Sequence, residues 1–246
     1  MEAITGSVDA TNNWWGSASG PVPDPLPAIG YESYGDKVST NVDYEPWLLR
    51  EVLEGQPIPT YDKTLALRDG WTLVSTHKEV AGGMGSRWVG TEDLSTEDPG
   101  TVITVVGCKY MPGGYAVAAP DDLRPVDALY VKTDGGGGVG IYYSAAAPGV
   151  SSKDLVAGWN LVSSATETAA DDVLSPLRFV QVGEQQGVGL TTVVSQGTYN
   201  QYSDGFQIAT LTETDWTTDL EGEKLIPFDG YWVYMNAARS FGVIPD

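Results

Sequence analysis

Short runs rich in Val, Ile, Thr, Tyr and Trp alternate along this chain with clusters of turn residues. The runs "TVITVVGCKY" (101–110), "DALYVKT" (127–133), "VGIYYS" (139–144) and "WNLVSS" (159–164) have the composition and length of β-strands. So do "RFVQV" (178–182), "LTTVV" (190–194) and "YWVYM" (231–235). In the last of these, Tyr231, Val233 and Met235 fall on one face and Trp232 and Tyr234 on the other. Two apolar faces predict a central strand or one lying under a cap. Helical spacing is rare. "EPWLLREVLEG" (45–55) has apolar residues at that spacing, Pro near its start and Gly at its end, and predicts a helix. "TAADDVLSPL" (168–177) predicts one further turn or two. The class is mainly β.

The start of the chain does not follow the alternation. In "TNNWWGSASGP" (11–21), Trp14 and Trp15 stand side by side and would point to opposite faces of a strand. A boundary follows at "EGQPIPTYDK" (54–63), where two prolines in a polar setting predict a short stiff linker. Beyond it the sequence repeats. "LRDGWTLVST" (67–76) matches "LVAGWNLVSS" (155–164) at an offset of 88 residues. "LRPVDALYVKT" (123–133) matches "LIPFDGYWVYM" (225–235) at an offset of 102. The later copy therefore carries about 14 extra residues, for which "GTYNQYSDGFQ" (197–207) is the candidate. Each copy opens with a Gly-Trp strand, and Trp71 and Trp159 are expected as equivalent core anchors. The organisation read from this is 1–55, a linker at 56–63, and two β-modules at 64–150 and 151–246.

"SVDATNNWWGSASGP" with "GDKVSTNVDYEPWL" resembles the closing segment of right-handed parallel β-helix (pectate-lyase-like) surface proteins, across roughly residues 7–48. The resemblance implies that this segment is a terminal-rung or cap remnant of a solenoid. Asn12 and Asn13 would then sit at a rung corner, Trp14 and Trp15 would close the end of the core, and Trp47 and Leu48 would finish the lid. A solenoid end needs strand partners, either from the β-modules or from another chain. Around Ile4 to Ala10 and Lys37 to Tyr44, backbone groups call for such partners. The two later copies resemble the "GWNLVS…GYWVYM" β-modules of archaeal and bacterial cell-surface proteins. The second copy matches closely; the first has Thr72 in place of Asn and Ala128-Leu129-Tyr130 in place of Gly-Tyr-Trp. The resemblance implies tandem small β-sandwich or barrel-like modules, at the cell surface or outside the cell.

Charge narrows the partners. The 246 residues hold 33 acidic and 13 basic side chains, a formal net charge of −20, which repels nucleic-acid backbones and anionic membrane surfaces. No apolar run approaches the ~20 residues of a membrane span. Met1-Glu2-Ala3 has neither a basic nor an apolar leader region, so the start reads as an engineered start, a mature end or a fragment.

Catalytic chemistry finds little to work with. His77 is the sole histidine, set in "VSTHKEV" without a nucleophile motif, and reads as a strand-end surface residue. Cys108, the sole cysteine, reads as a buried structural thiol and permits no intrachain disulfide. "DGGGGVG" (134–140) lacks the Lys-Ser/Thr of a phosphate loop and reads as a flexible hairpin turn. The acidic pairs Asp121-Asp122 and Asp171-Asp172 are candidate calcium ligands, with solvated surface charge as the alternative. Tyr199, Tyr202 and Trp216, with Phe206 and Trp88, lie in loop-like segments where aromatics stack on sugars or fill module cores. The function expected is a non-enzymatic extracellular structural or adhesive protein, self-associating or bound to other surface proteins, with no cofactor unless calcium. The alternative is the carbohydrate-binding C-terminal region of a polysaccharide-acting β-helix enzyme.

Overall fold

A computed structural model describes residues 6–24, 35–81, 86–90, 106–111, 113–146, 151–166, 168–169, 174, 177, 190–195, 207–210, 224–225, 228 and 230–243. The strands are β1 (Val8–Asp9), β2 (Val22–Asp24), β3 (Lys37–Ser39), β4 (Val42–Asp43), β5 (Lys63–Leu67), β6 (Gly70–Ser75), β7 (Ser86–Gly90), β8 (Val106–Met111), β9 (Gly114–Ala118) and β10 (Ala128–Thr133). They continue as β11 (Gly137–Ile141), β12 (Ser151–Leu155), β13 (Gly158–Ser163), β14 (Thr168–Ala169), β15 (Leu190–Ser195), β16 (Gln207–Thr210), β17 (Lys224–Leu225), β18 (Gly230–Met235) and β19 (Arg239–Val243). A short 3-10 turn covers Pro120–Asp122. The fold is mainly β, in small sheets, with no closed barrel among the described residues. "RFVQV" lies outside those residues.

The chain divides into two compact units, 1–72 with 81–106 and 131–143, and 73–80 with 107–130 and 144–246. The division cuts β6 after Thr72 and β10 after Tyr130.

In the first unit, β1 pairs with β4 and β2 with β3, both parallel. These pairs give the Val8 and Lys37 segments partners inside the chain, where the sequence left them open. Asn12 takes a left-handed turn at φ 56°, and the Asn13 side chain donates to the Ala10 carbonyl at 2.9 Å. The helix expected over 45–55 does not form. Its apolar residues are used consecutively, with Trp47, Leu48 and Leu49 all buried. Their backbone bonds outward instead, Trp47 N–H to Thr64 Oγ1 and Leu48 N–H to the Asn13 carbonyl. The indole of Trp47 donates to the Ala18 carbonyl at 3.0 Å and lies on Gly20, where a Cβ would meet the ring at 2.5 Å. Trp47, Leu49 and Tyr61 form a cluster against which Trp15, Tyr44 and Tyr142 pack.

That cluster rests on the antiparallel sheet β5-β11-β7. The glycines of "DGGGGVG" are not mainly a hairpin turn, as expected. Gly137 onward is the central strand, buried throughout. A Cβ on Gly138 would stand 2.2 Å from the Ala18 carbonyl oxygen and 2.5 Å from Leu49, and one on Gly140 would strike the Tyr61 ring at 2.5 Å. The glycines are there for this close approach. Ala18, Trp47 and Leu49 of the N-terminal segment are thus covered by the β5-β11-β7 sheet. Trp88, expected in a loop, is buried in β7.

In the second unit, the pair β12-β19 packs on the inner face of β13 and β18 in the sheet β13-β18-β15-β16. Leu155, Val162, Tyr231, Val233, Met235 and Phe241 fill the space between them. Of the second helix candidate, Thr168–Ala169 is strand paired with β17, while Leu174 is helical, Leu177 is in a 3-10 turn and both join this core.

The four-stranded sheets β6-β10-β8-β9 and β13-β18-β15-β16 share one strand order. The flanking pairs share one register. Advancing β5 by 88 residues and β11 by 102, the two offsets of the sequence repeat, turns Lys63↔Ile141 into Ser151↔Val243 and Leu67↔Gly137 into Leu155↔Arg239. Val126 and Phe228, also 102 apart, both hold a positive φ, at 66° and 75°. Two residues join β8 to β9 and eleven join β15 to β16, which is where the insertion was expected. Asn160 accepts from the Val156 N–H and donates to the Val156 and Gly158 carbonyls, fixing the turn before β13. Thr72 accepts the corresponding bond from the Arg68 N–H, so the departure from Asn keeps one of three bonds.

One expectation fails clearly. Trp71 and Trp159 are 41% and 40% exposed and are not core anchors. A positive-φ glycine precedes each, at φ 84° and 102°, and the strand then alternates so that the core takes Val74 and Val162.

Candidate functional site

Strand alternation builds the site. In β18, Tyr231, Val233 and Met235 face the core, so Trp232 and Tyr234 face away. β13 runs antiparallel beside it, with Trp159 opposite Tyr234. In β10 the same burial pattern puts Tyr130 at the place of Trp232. The β8-β9 hairpin sets Tyr110 opposite Tyr115. Gly230 permits the close approach, since a Cβ there would meet Leu73 at 2.4 Å and Ala128 at 2.8 Å.

The result is a connected set of six rings. Tyr110 lies 4.7 Å from Trp232 and 5.3 Å from Tyr115, and Tyr115 lies 6.2 Å from Tyr130. Trp159 lies 6.3 Å from Trp232 and 5.2 Å from Tyr234. All five contacts are edge-to-face, each contributing about 0.5–1.5 kcal/mol beyond burial. Trp232 Nε1 donates to the Tyr130 hydroxyl at 3.1 Å, which fixes the centre. The edges remain open, with Tyr115 61%, Trp159 40% and Tyr234 39% exposed. Burial by its neighbours raises the Tyr115 phenol above its ordinary pKa, and the Tyr130 and Tyr110 hydroxyls and the Cys108 thiol add to the shift. Tyr115 is therefore neutral at physiological pH and offers an apolar ring with a hydroxyl at its tip.

The residues singled out from sequence lie elsewhere. Asp122 accepts from the Lys109 ammonium and, at 2.9 Å, from the Ala119 N–H. Burial alone would raise its pKa, but the Ala119 bond, Lys109 and Arg124 together lower it. Asp121 is exposed beside it. Among the described residues no three His, Cys, Asp or Glu side chains gather to hold a metal. Asp171, Asp172, Tyr199, Tyr202, Phe206 and Trp216 lie outside the described residues. His77 is half-buried, its ring 5.1 Å from Phe228. Cys108 is a free thiol, half-buried rather than buried. No helix among the described residues is long and apolar enough to cross a membrane.

The six rings were legible only in part. Period two places Trp232 and Tyr234 off the core phase, but an apolar outer face reads equally well as one lying under a cap. Tyr110 and Tyr115 join them only through the hairpin register. Comparison with protein-family models, curated proteins and solved structures finds no match to this chain.

Proposed function

We propose that this chain is a non-enzymatic extracellular structural and adhesive protein whose contact surface is the aromatic face of the second unit. In this reading residues 1–55 are the cap segment of a β-helix, 56–63 a linker, and 64–150 and 151–246 two copies of one β-module. The parallel pairs β1-β4 and β2-β3 support the first assignment. The shared strand order, the matching register and the paired positive-φ residues support the duplication. The observation that carries the function is the exposure of Tyr115, Trp159 and Tyr234 at the edges of a fixed ring network. Contiguous apolar surface of this kind marks a place of contact. A net charge of −20 keeps such a face from non-specific clumping.

The same rings favour a second reading, a carbohydrate-binding region, because aromatic faces stack on sugar rings. Retention of the full chain on insoluble neutral polysaccharide and on surfaces coated with the chain itself, each with calcium and with EDTA, tests both. Retention that falls in Trp159→Ala/Tyr234→Ala, with the melting transition kept, supports the assigned face. The polysaccharide arm selects the second reading, and the EDTA arm tests calcium at the loop carboxylates. Retention unchanged in the variant overturns the assignment.

A further inference from the structure

Among the described residues, β9 is an edge strand of its sheet, hydrogen-bonded on one side to β8. Its sequence is Gly-Tyr-Ala-Val-Ala, with no charge and no proline. Edge strands in soluble proteins are ordinarily guarded by Lys, Pro, a bulge or a cover. Here Tyr115 and Val117, both on one face, are 61% and 79% exposed. The hairpin closes on Met111↔Gly114 across two residues. Alternation then makes Met111/Gly114, Lys109/Ala116 and Gly107/Ala118 the hydrogen-bonded pairs. The N–H and C=O groups of Tyr115 and Val117 therefore point away from β8. The next outward N–H, that of Ala119, is taken by Asp122 Oδ2 at 2.9 Å. The open edge is thus two residues long and has a defined end.

We infer that this edge is a dimerisation site whose partner is β9 of a second copy of this chain, antiparallel about a two-fold axis through Ala116. That register sets Tyr115 opposite Val117 of the second copy, and Val117 opposite its Tyr115. Both are outward-facing positions, so two reciprocal pairs of backbone hydrogen bonds form and every open group is used. The two most exposed side chains of the hairpin become aromatic–β-branched cross-strand pairs, the kind that stabilises a sheet. The contact is isologous and closes at two copies. Charge favours this location. Two chains of net charge −20 repel over most of their surfaces, and β9 brings no charge to the contact. The sheet becomes continuous through both copies, and Tyr115 carries the aromatic face up to the two-fold axis. The site stands whether or not that face is adhesive.

Sedimentation equilibrium of the full chain tests this. The expected particle is twice the 26.2 kDa chain, in a concentration-dependent equilibrium. Val117→Pro removes only an outward N–H and leaves the ladder to β8 whole. Val117→Lys guards the same edge without altering the backbone. Both are expected to weaken dimerisation by on the order of tenfold or more with the melting transition kept. Amide exchange at Tyr115 and Val117 slows on dimerisation in the unmodified chain. A chain that stays monomeric at millimolar concentration overturns the inference. So does a dimer that persists in both variants, or exchange at these two amides that does not change with concentration. Protection of these amides only on adding a foreign protein gives the edge to a different partner and likewise overturns it.

Discussion

Strands β11 and β19 occupy matching places, each the antiparallel partner of the strand just before a Gly-Trp strand, yet one is buried on both faces and the other on one. Every residue of β11 is buried, whereas Arg239, Ser240 and Gly242 of β19 are exposed and only Phe241 among them is buried. The sequence difference follows from this. Gly137 and Gly138 stand where Arg239 and Ser240 stand in the later copy. Gly138 admits Ala18 and Leu49, whereas the Ser240 hydroxyl donates to Asp154 Oδ1 at the surface. The same register therefore serves two purposes. β11 lacks side chains where Ala18 and Leu49 approach it, and β19 presents a polar outer face. A glycine run that resembles a loop is here a docking surface for another piece of the same chain.

The largest expected effect comes from removing the residue that seats the N-terminal segment. Trp47→Ala deletes a buried indole and its bond to Ala18, and should cost about 3–5 kcal/mol in denaturant unfolding. A loss below about 1 kcal/mol would mean that the N-terminal segment does not depend on this cluster.

Exchanging the matched residues sharpens the comparison. Gly138→Ser places a Cβ against a backbone carbonyl that cannot swing aside, and should destabilise by about 1–3 kcal/mol. Ser240→Gly should cost less than about 1 kcal/mol, the usual penalty of glycine in a strand. Equal effects at the two sites would erase the distinction between a covered and an open strand.

The smallest effect is in alkali. Burial raises the Tyr61 phenol above its ordinary range, with Tyr142 adding to the shift and Arg87 and Arg50 opposing it. The fold therefore holds the neutral phenol. That contribution is fully present below the unfolded pKa of ~10 and is lost as pH rises through the higher folded value. Tyr61→Phe, with no proton to lose, should show a shallower fall in melting temperature above pH ~10 than the unmodified chain. Parallel slopes would place Tyr61 in water, off Gly140.

Much of this architecture can be read from the residues alone. Period-two runs specify strands because a pleated backbone alternates its side chains, and β10, β13, β15 and β18 stand where the alternation puts them. The repeat offsets carry over into strand order and register, because register follows the hydrophobic pattern and the turn lengths. Asn12 takes the left-handed turn its side chain tolerates. Three features were decided only by packing across long sequence separations. Residues 45–55 have helical spacing, but their backbone bonds and side chains are claimed by Asn13, Ala18 and Thr64. Trp71 and Trp159 are large enough to anchor a core, yet the core takes Val74 and Val162 from the opposite strand face and leaves the two indoles 41% and 40% exposed. Whether an apolar strand face is covered depends on what the rest of the chain brings to it, and local periodicity carries no record of that. The six rings became one surface for the same reason, since Tyr110 and Trp232 meet only when two sheets distant in sequence come together at Gly230.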